Sequence, residues 1–339
     1  MTLTQTAKLT KRLILFFVIT LIAGVSIWLG YRYYYYNVYL PSIPPVEIKA
    51  DLKFGILPKP DFFESSASAT NFSYVLDTPT GDLPENLPKI MTVFYAPARS
   101  ITLLDPDRSN DLAKRMGFTN GPGVISPTQF KYSDESGGEL IIDLNSGNFK
   151  FKKSTTEESF ANIAGTLPST DDIAKNFKDF LTTNGLIKPQ LQQGAYKAFY
   201  NQDSQRKSYS ATVSLWPNDL DKFPIVTSLS KTGLIRATVV NARKDIDRYL
   251  SLTYINWSID DKTTATYPIK TALQAFGDLK NGLGVLVLTP NTGQVSIRSV
   301  YLGYFETDNY NPYIEPVFVF EGKDFVAYVP AIVSDYLER

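Results

Sequence analysis

Apolar positions along this chain follow three patterns, and each marks a region. From 13 to 30, eighteen residues carry no charge and their only hydroxyls are Thr20 and Ser26. At the α-helical rise such a run is about 27 Å long, close to the hydrocarbon thickness of a bilayer. Twelve of the eighteen are Leu, Ile, Phe or Val, and no ionisable group opposes their insertion. The pattern predicts a transmembrane helix over 13–31.

Further on the spacing becomes that of amphipathic helices. Ile173, Phe177, Phe180 and Leu181 share one face, Ser169 with Asp172 makes a capping-box-like start, and Gly185 stands where a C′ glycine belongs. A second helix opens with Pro268 in its first turn, runs through Ile269, Ala272, Leu273, Phe276 and Leu279, and stops at Asn281-Gly282. A weaker one has Asp107 or Ser109 as cap, then Leu112, Met116 and Gly117.

Between and after these segments the period is two. Tyr209, Ala211, Val213 and Leu215 alternate with Ser208, Ser210, Thr212 and Ser214, which predicts a strand with one wet face. Ile235-Arg236-Ala237-Thr238-Val239, Phe149-Lys150-Phe151-Lys152 and Val295-Ser296-Ile297-Arg298 repeat the pattern, and Asn145-Ser146-Gly147, Lys231-Thr232-Gly233 and Asn291-Thr292-Gly293 supply turns. The expected fold is α+β: one N-terminal transmembrane helix, then antiparallel sheet units each covered by a helix. Helix-then-strands recurs from residues 107, 169 and 268, and Trp216-Pro217-Asn218-Asp219 echoes Trp257-Ser258-Ile259-Asp260; repeated units would explain both.

Charge orients the anchor. Lys8, Lys11 and Arg12 precede it and only Arg32 follows closely, so the positive-inside bias puts a tail, 1–12, in the cytoplasm and the large C-terminal part outside the plasma membrane. Trp28, Tyr31, Tyr33, Tyr34, Tyr35, Tyr36 and Tyr39 form a belt at the outer headgroup level; a ligand stacked on the tyrosines is the sharper alternative. A cleaved signal peptide competes with a retained anchor, but the apolar run exceeds a usual h-region and Ala23-Gly24-Val25-Ser26 is a poor cleavage signal inside it. Five prolines between 40 and 60 stiffen the connector. The expected organisation is therefore a Tyr/Pro-rich stalk over 32–65 and exterior α+β subdomains over 66–166 and 167–339.

Composition narrows the chemistry. Outside the anchor region, 30 Lys and Arg stand against 34 Asp and Glu, so no electrostatic footprint for nucleic acid is present. The 339 residues contain no cysteine and no histidine. That excludes a Cys or His nucleophile or base and an ordinary zinc site, and it leaves an exported body held by packing, without disulfides. No cofactor and no metal are expected. The expected partners are the lipid bilayer and a membrane or envelope protein.

The last third carries a resemblance. Tyr267-Pro268-Ile269-Lys270-Thr271-Ala272-Leu273-Gln274-Ala275-Phe276 leads to Val300-Tyr301-Leu302-Gly303-Tyr304-Phe305, then to Ile314-Glu315-Pro316-Val317-Phe318-Val319-Phe320 and Phe325-Val326-Ala327-Tyr328-Val329-Pro330-Ala331. Over about 65 residues this resembles the closing unit of YycH/YycI-type regulatory proteins and the broader PepSY-like domains, a match resting on apolar and aromatic positions. The resemblance implies a helix followed by antiparallel strands, a bitopic protein with a large exterior domain, and restraint of a membrane sensor kinase without an active site. The segment 54–166 departs from that pattern.

Among motifs with chemistry, Asp105-Pro106-Asp107-Arg108-Ser109 opens like a calcium loop, but Asn110 replaces the glycine and Met116 the final glutamate; helix capping explains it better. Ser204-Gln205-Arg206-Lys207 with Lys231-Thr232-Gly233 resembles the paired motifs of penicillin-recognising enzymes, too closely spaced and lacking the middle element. Asp219 with Asp221, or Asp260 with Asp261, would do glycosidase-like work only across a cleft. Aromatics make up 13% of the chain, and Trp216, Trp257, Tyr304, Tyr310 and Tyr313 are the candidate lining of a peptide or glycan groove. The leading expectation is a non-enzymatic, membrane-anchored extracytoplasmic binding or regulatory protein. The alternatives are a cell-wall carbohydrate-active enzyme using paired carboxylates and a structural subunit of an envelope assembly.

Overall fold

The computed structural model describes residues 3–39, 49–62, 68–154, 166–202, 209–242, 246–291 and 293–338, with side chains in the first helix from residue 14 onward. The side chains of Lys8, Lys11 and Arg12, the connector 40–48 and the segment 203–208, which holds Ser204-Gln205-Arg206-Lys207, lie outside the described residues. Two compact units result, Met1–Lys49 and Ala50–Arg339.

The first unit is α1, Leu3–Tyr34, continued by one π-helical turn, Tyr35–Tyr39. Ile14–Tyr39 is long and apolar enough to cross a membrane, and its large apolar side chains are exposed. The helix runs past residue 31, so Tyr33 and Tyr34 are helical. Stacking explains the extension: the Tyr35 ring lies 6.0 Å from Tyr31 and 5.5 Å from Tyr39, at the i, i+4 spacing that aligns side chains on one face. The Arg32 guanidinium sits over Trp28 at 5.5 Å and Tyr36 at 5.9 Å, which shields its charge beside apolar neighbours.

In the second unit, β1 (Ser73–Leu76) and β2 (Ile90–Tyr95) precede α2 (Asp105–Arg115) and the meander β3 (Asn120–Ser126), β4 (Gln129–Ser133), β5 (Glu139–Asp143) and β6 (Phe149–Lys152). Helix α3 (Thr170–Thr183) leads to β7 (Ala195–Asn201), β8 (Ser210–Trp216), β9 (Ile225–Thr227), β10 (Ile235–Val240) and β11 (Tyr249–Tyr254). Strand β12 (Asp260–Pro268) precedes α4 (Ala272–Lys280), and β13 (Val285–Leu288), β14 (Gln294–Glu306), β15 (Tyr313–Gly322) and β16 (Val326–Pro330) close the chain.

Two eight-stranded sheets result, so the fold is the α+β arrangement that the periods predict. One sheet has the order β3-β4-β5-β6-β11-β10-β8-β7, antiparallel throughout. It joins two helix-plus-four-strand meanders through their last strands, β6 and β11, with β9 diverted to the other sheet. That second sheet runs β1-β14-β15-β16-β13, with β2 linking β15 to β12 and β9 beside β14; only β1 and β9 pair in parallel. The third helix-then-strands segment is not a meander, since β13 pairs with β16. Trp216 ends the second strand of its meander whereas Trp257 follows a fourth, so the tryptophan echo does not mark equivalent positions.

The apolar faces pack as the alternation requires. Leu112, Met116, Ile173, Phe177 and Leu181 from α2 and α3 meet Leu140, Phe149, Phe151, Val213, Leu215 and Leu252 in one continuous core. Ser169 caps α3 by accepting from the Asp172 backbone N–H, and Gly185 beyond its end has φ +69°. Three expectations are corrected. Helix α4 starts at Ala272 with a Thr271–Gln274 capping box, because Tyr267 and Pro268 are held in β12 opposite Met91 and Ile90. Helix α2 begins at Asp105 without a side-chain cap; Ser109 is buried and hydrogen-bonded to the Tyr132 hydroxyl at 2.7 Å. The face of β8 expected to be wet is partly covered, with Ser210 and Ser214 fully buried, Ser214 pairing in register with an Arg236 that reaches Asp308 of the second sheet.

The start of this unit is stitched to its end. The Leu57 N–H donates to the Tyr336 carbonyl at 2.9 Å, the Glu338 N–H returns to Leu57 at 2.8 Å, and the Tyr267 hydroxyl donates to Gly55 at 2.9 Å. On β6 the alternation has a measurable consequence: Phe151→Ala should cost about 3–5 kcal/mol in urea unfolding of the chain, whereas Lys152→Ala on the solvent face should stay within about 0.5 kcal/mol.

Candidate ligand cavity

Where the two sheets meet, four loops border an open cavity of about 560 Å³, within the usual range for small-ligand sites. The first sheet supplies the β5–β6 turn and the exit of β11; the second supplies the exit of β2 and the β14–β15 loop.

The β5–β6 turn is rigid for local reasons. Asp143 Oδ1 accepts from the Ser146 N–H and Oγ, both at 2.8 Å, and the Gly147 N–H donates to the Asp143 carbonyl. Gly147 sits at φ +73°, where a side chain would be strained. This holds Asn145, Ser146 and Asn148 at the cavity wall. Across the β6–β11 pair, the Asn256 N–H donates to Asn148 Oδ1 at 3.0 Å. Gln190 Nε2 donates to the Trp257 carbonyl at 2.6 Å and to Asn256 Oδ1 at 3.0 Å. These bonds fix which way both asparagine amides point, and neither Nδ2 has an acceptor among the described residues.

The aromatic wall is a corner made of one ring from each sheet. Trp257 and Tyr310 are 5.6 Å apart with planes at 66°, an edge-to-face geometry favoured by the ring quadrupoles. Trp257 Nε1 donates to the Thr307 carbonyl and the Tyr310 hydroxyl to the Ala96 carbonyl, each at 2.8 Å. Charges at the rim are paired as well: Asp308 lies 3.7 Å from both Lys150 and Arg236, and Arg99 is bonded to Asp105.

Of the five aromatic candidates, the cavity gathers Trp257 and Tyr310 only. Tyr304 is fully buried between Phe94 and Phe223 with its hydroxyl on the Thr92 carbonyl, so it belongs to the core. Tyr313 packs on Phe54 and Tyr95, and Trp216 lies under the Lys197 ammonium at 5.8 Å; neither lines the cavity. Of the amide-bearing lining residues Asn145, Asn148, Asn256 and Asn309, the sequence marks only Asn145, and only as a turn former. Their signal is the polar setting of each ring, Asn256-Trp257-Ser258 and Asp308-Asn309-Tyr310-Asn311.

The other motifs resolve into structure. Asp105 is 5% exposed and accepts from the Thr102 backbone N–H and hydroxyl and from Arg99, which hold its carboxyl down at about 2; it is an ion-paired brace for the start of α2. Gly233 of Lys231-Thr232-Gly233 is there for close approach, since a Cβ would meet the Leu215 carbonyl oxygen at 2.5 Å. Asp260 binds the Lys262 N–H and the Thr263 hydroxyl, and neither aspartate pair lines the cavity.

No family model matches the chain, and no curated protein matches its sequence. Among solved structures it is similar to an uncharacterized protein from Eubacterium rectale ATCC 33656, at 13% identity and TM-score 0.28 over 73% of this chain and 79% of that one. It is also similar to the Bacillus megaterium YpeB C-terminal domain, at 10% identity and TM-score 0.30 over 69% of this chain and 95% of that one. At these scores neither likeness bears on function.

Beside the cavity, Glu306 is 4% exposed and does not line it. Burial pushes its carboxyl up to about 7, against the pull of the Trp257 backbone N–H and with a further push from the charge of Asp308. A raised folded pKa means that the unfolded chain ionises first, so stability falls as pH climbs from about 4.5 to about 7 and stays lower above. Glu306→Gln should therefore stabilise the chain by about 3 kcal/mol at pH 8 and by about nothing at pH 4, read as the pH dependence of the denaturation midpoint.

Proposed function

We propose that this chain is a single-pass membrane protein whose body, outside the cytoplasm, binds a polar ligand in the cavity between the two sheets and relays occupancy through α1 to a membrane partner, without catalysis. One observation carries the binding reading. The cavity is lined by the Trp257 and Tyr310 rings and by a set of amides held in place by hydrogen bonds within the protein, and the carboxylates at its wall are engaged already, Asp143 within its own turn and Asp308 with Lys150 and Arg236. The anchor supports the membrane part, being long and apolar enough to cross, and the basic residues before it support the orientation.

A hydrolytic reading has one observation in its favour. Glu306, held near 7, has the protonation range of a general acid and lies close enough to feel Asp308. Its carboxyl is enclosed behind the cavity wall, away from any ligand the cavity would take, so binding is the stronger reading.

The chain contains no cysteine, which makes a labelling test clean. Glu135→Cys, at an exposed turn of the body, should react with a membrane-impermeant maleimide in intact cells, and Thr2→Cys should react only after lysis. The reverse result would overturn the orientation. Affinity capture of the full chain in mild detergent should recover a membrane protein in constant ratio, and that protein should be lost when 13–31 is replaced by an unrelated transmembrane helix; failure to recover one would count against the relay.

A further inference from the structure

What the cavity offers is ring carbon, side-chain amides and charges that already have partners. Because the Trp257 N–H and the Tyr310 hydroxyl are both bonded to backbone carbonyls, the two rings present apolar surface, with an electron-rich face suited to polarised C–H groups. Asn148 and Asn256 are 6% and 3% exposed, and their amide nitrogens, enclosed within the wall, lack acceptors among the described residues, while the less buried Asn145 and Asn309 bring further amides to the cavity. With Ser146 and Ser258 these side chains give the wall several uncharged hydrogen-bonding groups. Amides both donate and accept, as hydroxyls do.

Charge decides between ligand classes. Asp308 faces Lys150 and Arg236, Arg99 is bonded to Asp105, and Asp143 is occupied within its own turn. A charged ligand would either break one of these pairs or bring an uncompensated charge into a partly buried site; a neutral one does neither. An extended peptide would seek a free strand edge for main-chain pairing. Here the bordering strands are all paired on both sides: β6 by β5 and β11, β2 by β12 and β15, β14 by β1 or β9 and by β15.

Resting on the binding reading above, we infer that the cavity takes a short uncharged oligosaccharide, with a sugar face against the Trp257–Tyr310 corner and its hydroxyls on the asparagine amides. The test uses the full chain in lipid nanodiscs, titrated by calorimetry with chitotriose, maltotriose and cellotriose and, separately, with a neutral capped tripeptide. The expected result is saturation by at least one trisaccharide at about millimolar or tighter, unchanged between about 50 and 500 mM salt because no ion pair forms. Trp257→Ala should weaken it at least tenfold, and Trp216→Phe, outside the cavity, should leave it unchanged. Trp257→Phe keeps an aromatic corner and should restore most of the affinity, which separates loss of stacking from loss of fold. Binding of none of the three sugars, a strong salt dependence, or an unaltered Trp257→Ala variant would overturn the inference. Binding of the tripeptide alone would also overturn it and would leave the binding function standing, whereas capture of the membrane partner reports on that function independently.

Discussion

Residues 149–152 of β6 lie antiparallel to 251–254 of β11, Phe149 opposite Tyr254 and Phe151 opposite Leu252, and much of the molecule depends on this short ladder. It is where two helix-covered meanders become one sheet. The Phe149 and Tyr254 rings stack at 5.2 Å with planes 9° apart, and both belong to the core under α2 and α3. A slip by one residue would turn Phe149 and Phe151 to solvent and Lys150 and Lys152 inward. Burial therefore sets the register, and the register sets the cavity wall: it brings the Asn145–Asn148 turn beside Asn256 and Trp257, residues more than a hundred positions away.

The second sheet completes the site with loops. Its β14–β15 connection sends Asp308 toward Lys150 and Arg236 and places Tyr310 against Trp257. Each contact is modest alone, since ion pairs at this separation and exposure are worth about 1 kcal/mol or less and the ring pair about the same. They gain their effect from location, because together they hold two independently paired sheets in one relation around a cavity. Glu306 is the cost of that closeness, a carboxyl enclosed beside the junction and kept partly neutral by burial.

The calcium-like and penicillin-enzyme-like strings show why short motifs mislead here. Asp105 is conspicuous in sequence because it is acidic and followed by Pro106, yet it serves as an ion-paired brace. Gly233 completes a catalytic-looking triplet, yet the tight passage of the chain past Leu215 is what demands a glycine. Tyr304 and Trp257 look alike as aromatic candidates, but one closes a core and the other a cavity wall, a distinction that no local pattern carries.

Wherever the physics is local, the sequence was sufficient. An uncharged, apolar run of eighteen residues marks a long apolar helix, the 3.6-residue spacing with Ser169 and Gly185 bounds α3, and strict alternation marks β6, β8, β10 and the start of β14 as strands, of which β6 and the start of β14 are one-sided. Tertiary structure decided the rest: that two meanders share a sheet, that β9 leaves it, that Pro268 ends a strand, and that Trp257 and Tyr310 meet. Those outcomes depend on pairings between residues tens to hundreds of positions apart, whose energies come from surface buried jointly by both partners. No period within either segment records which partner it will find.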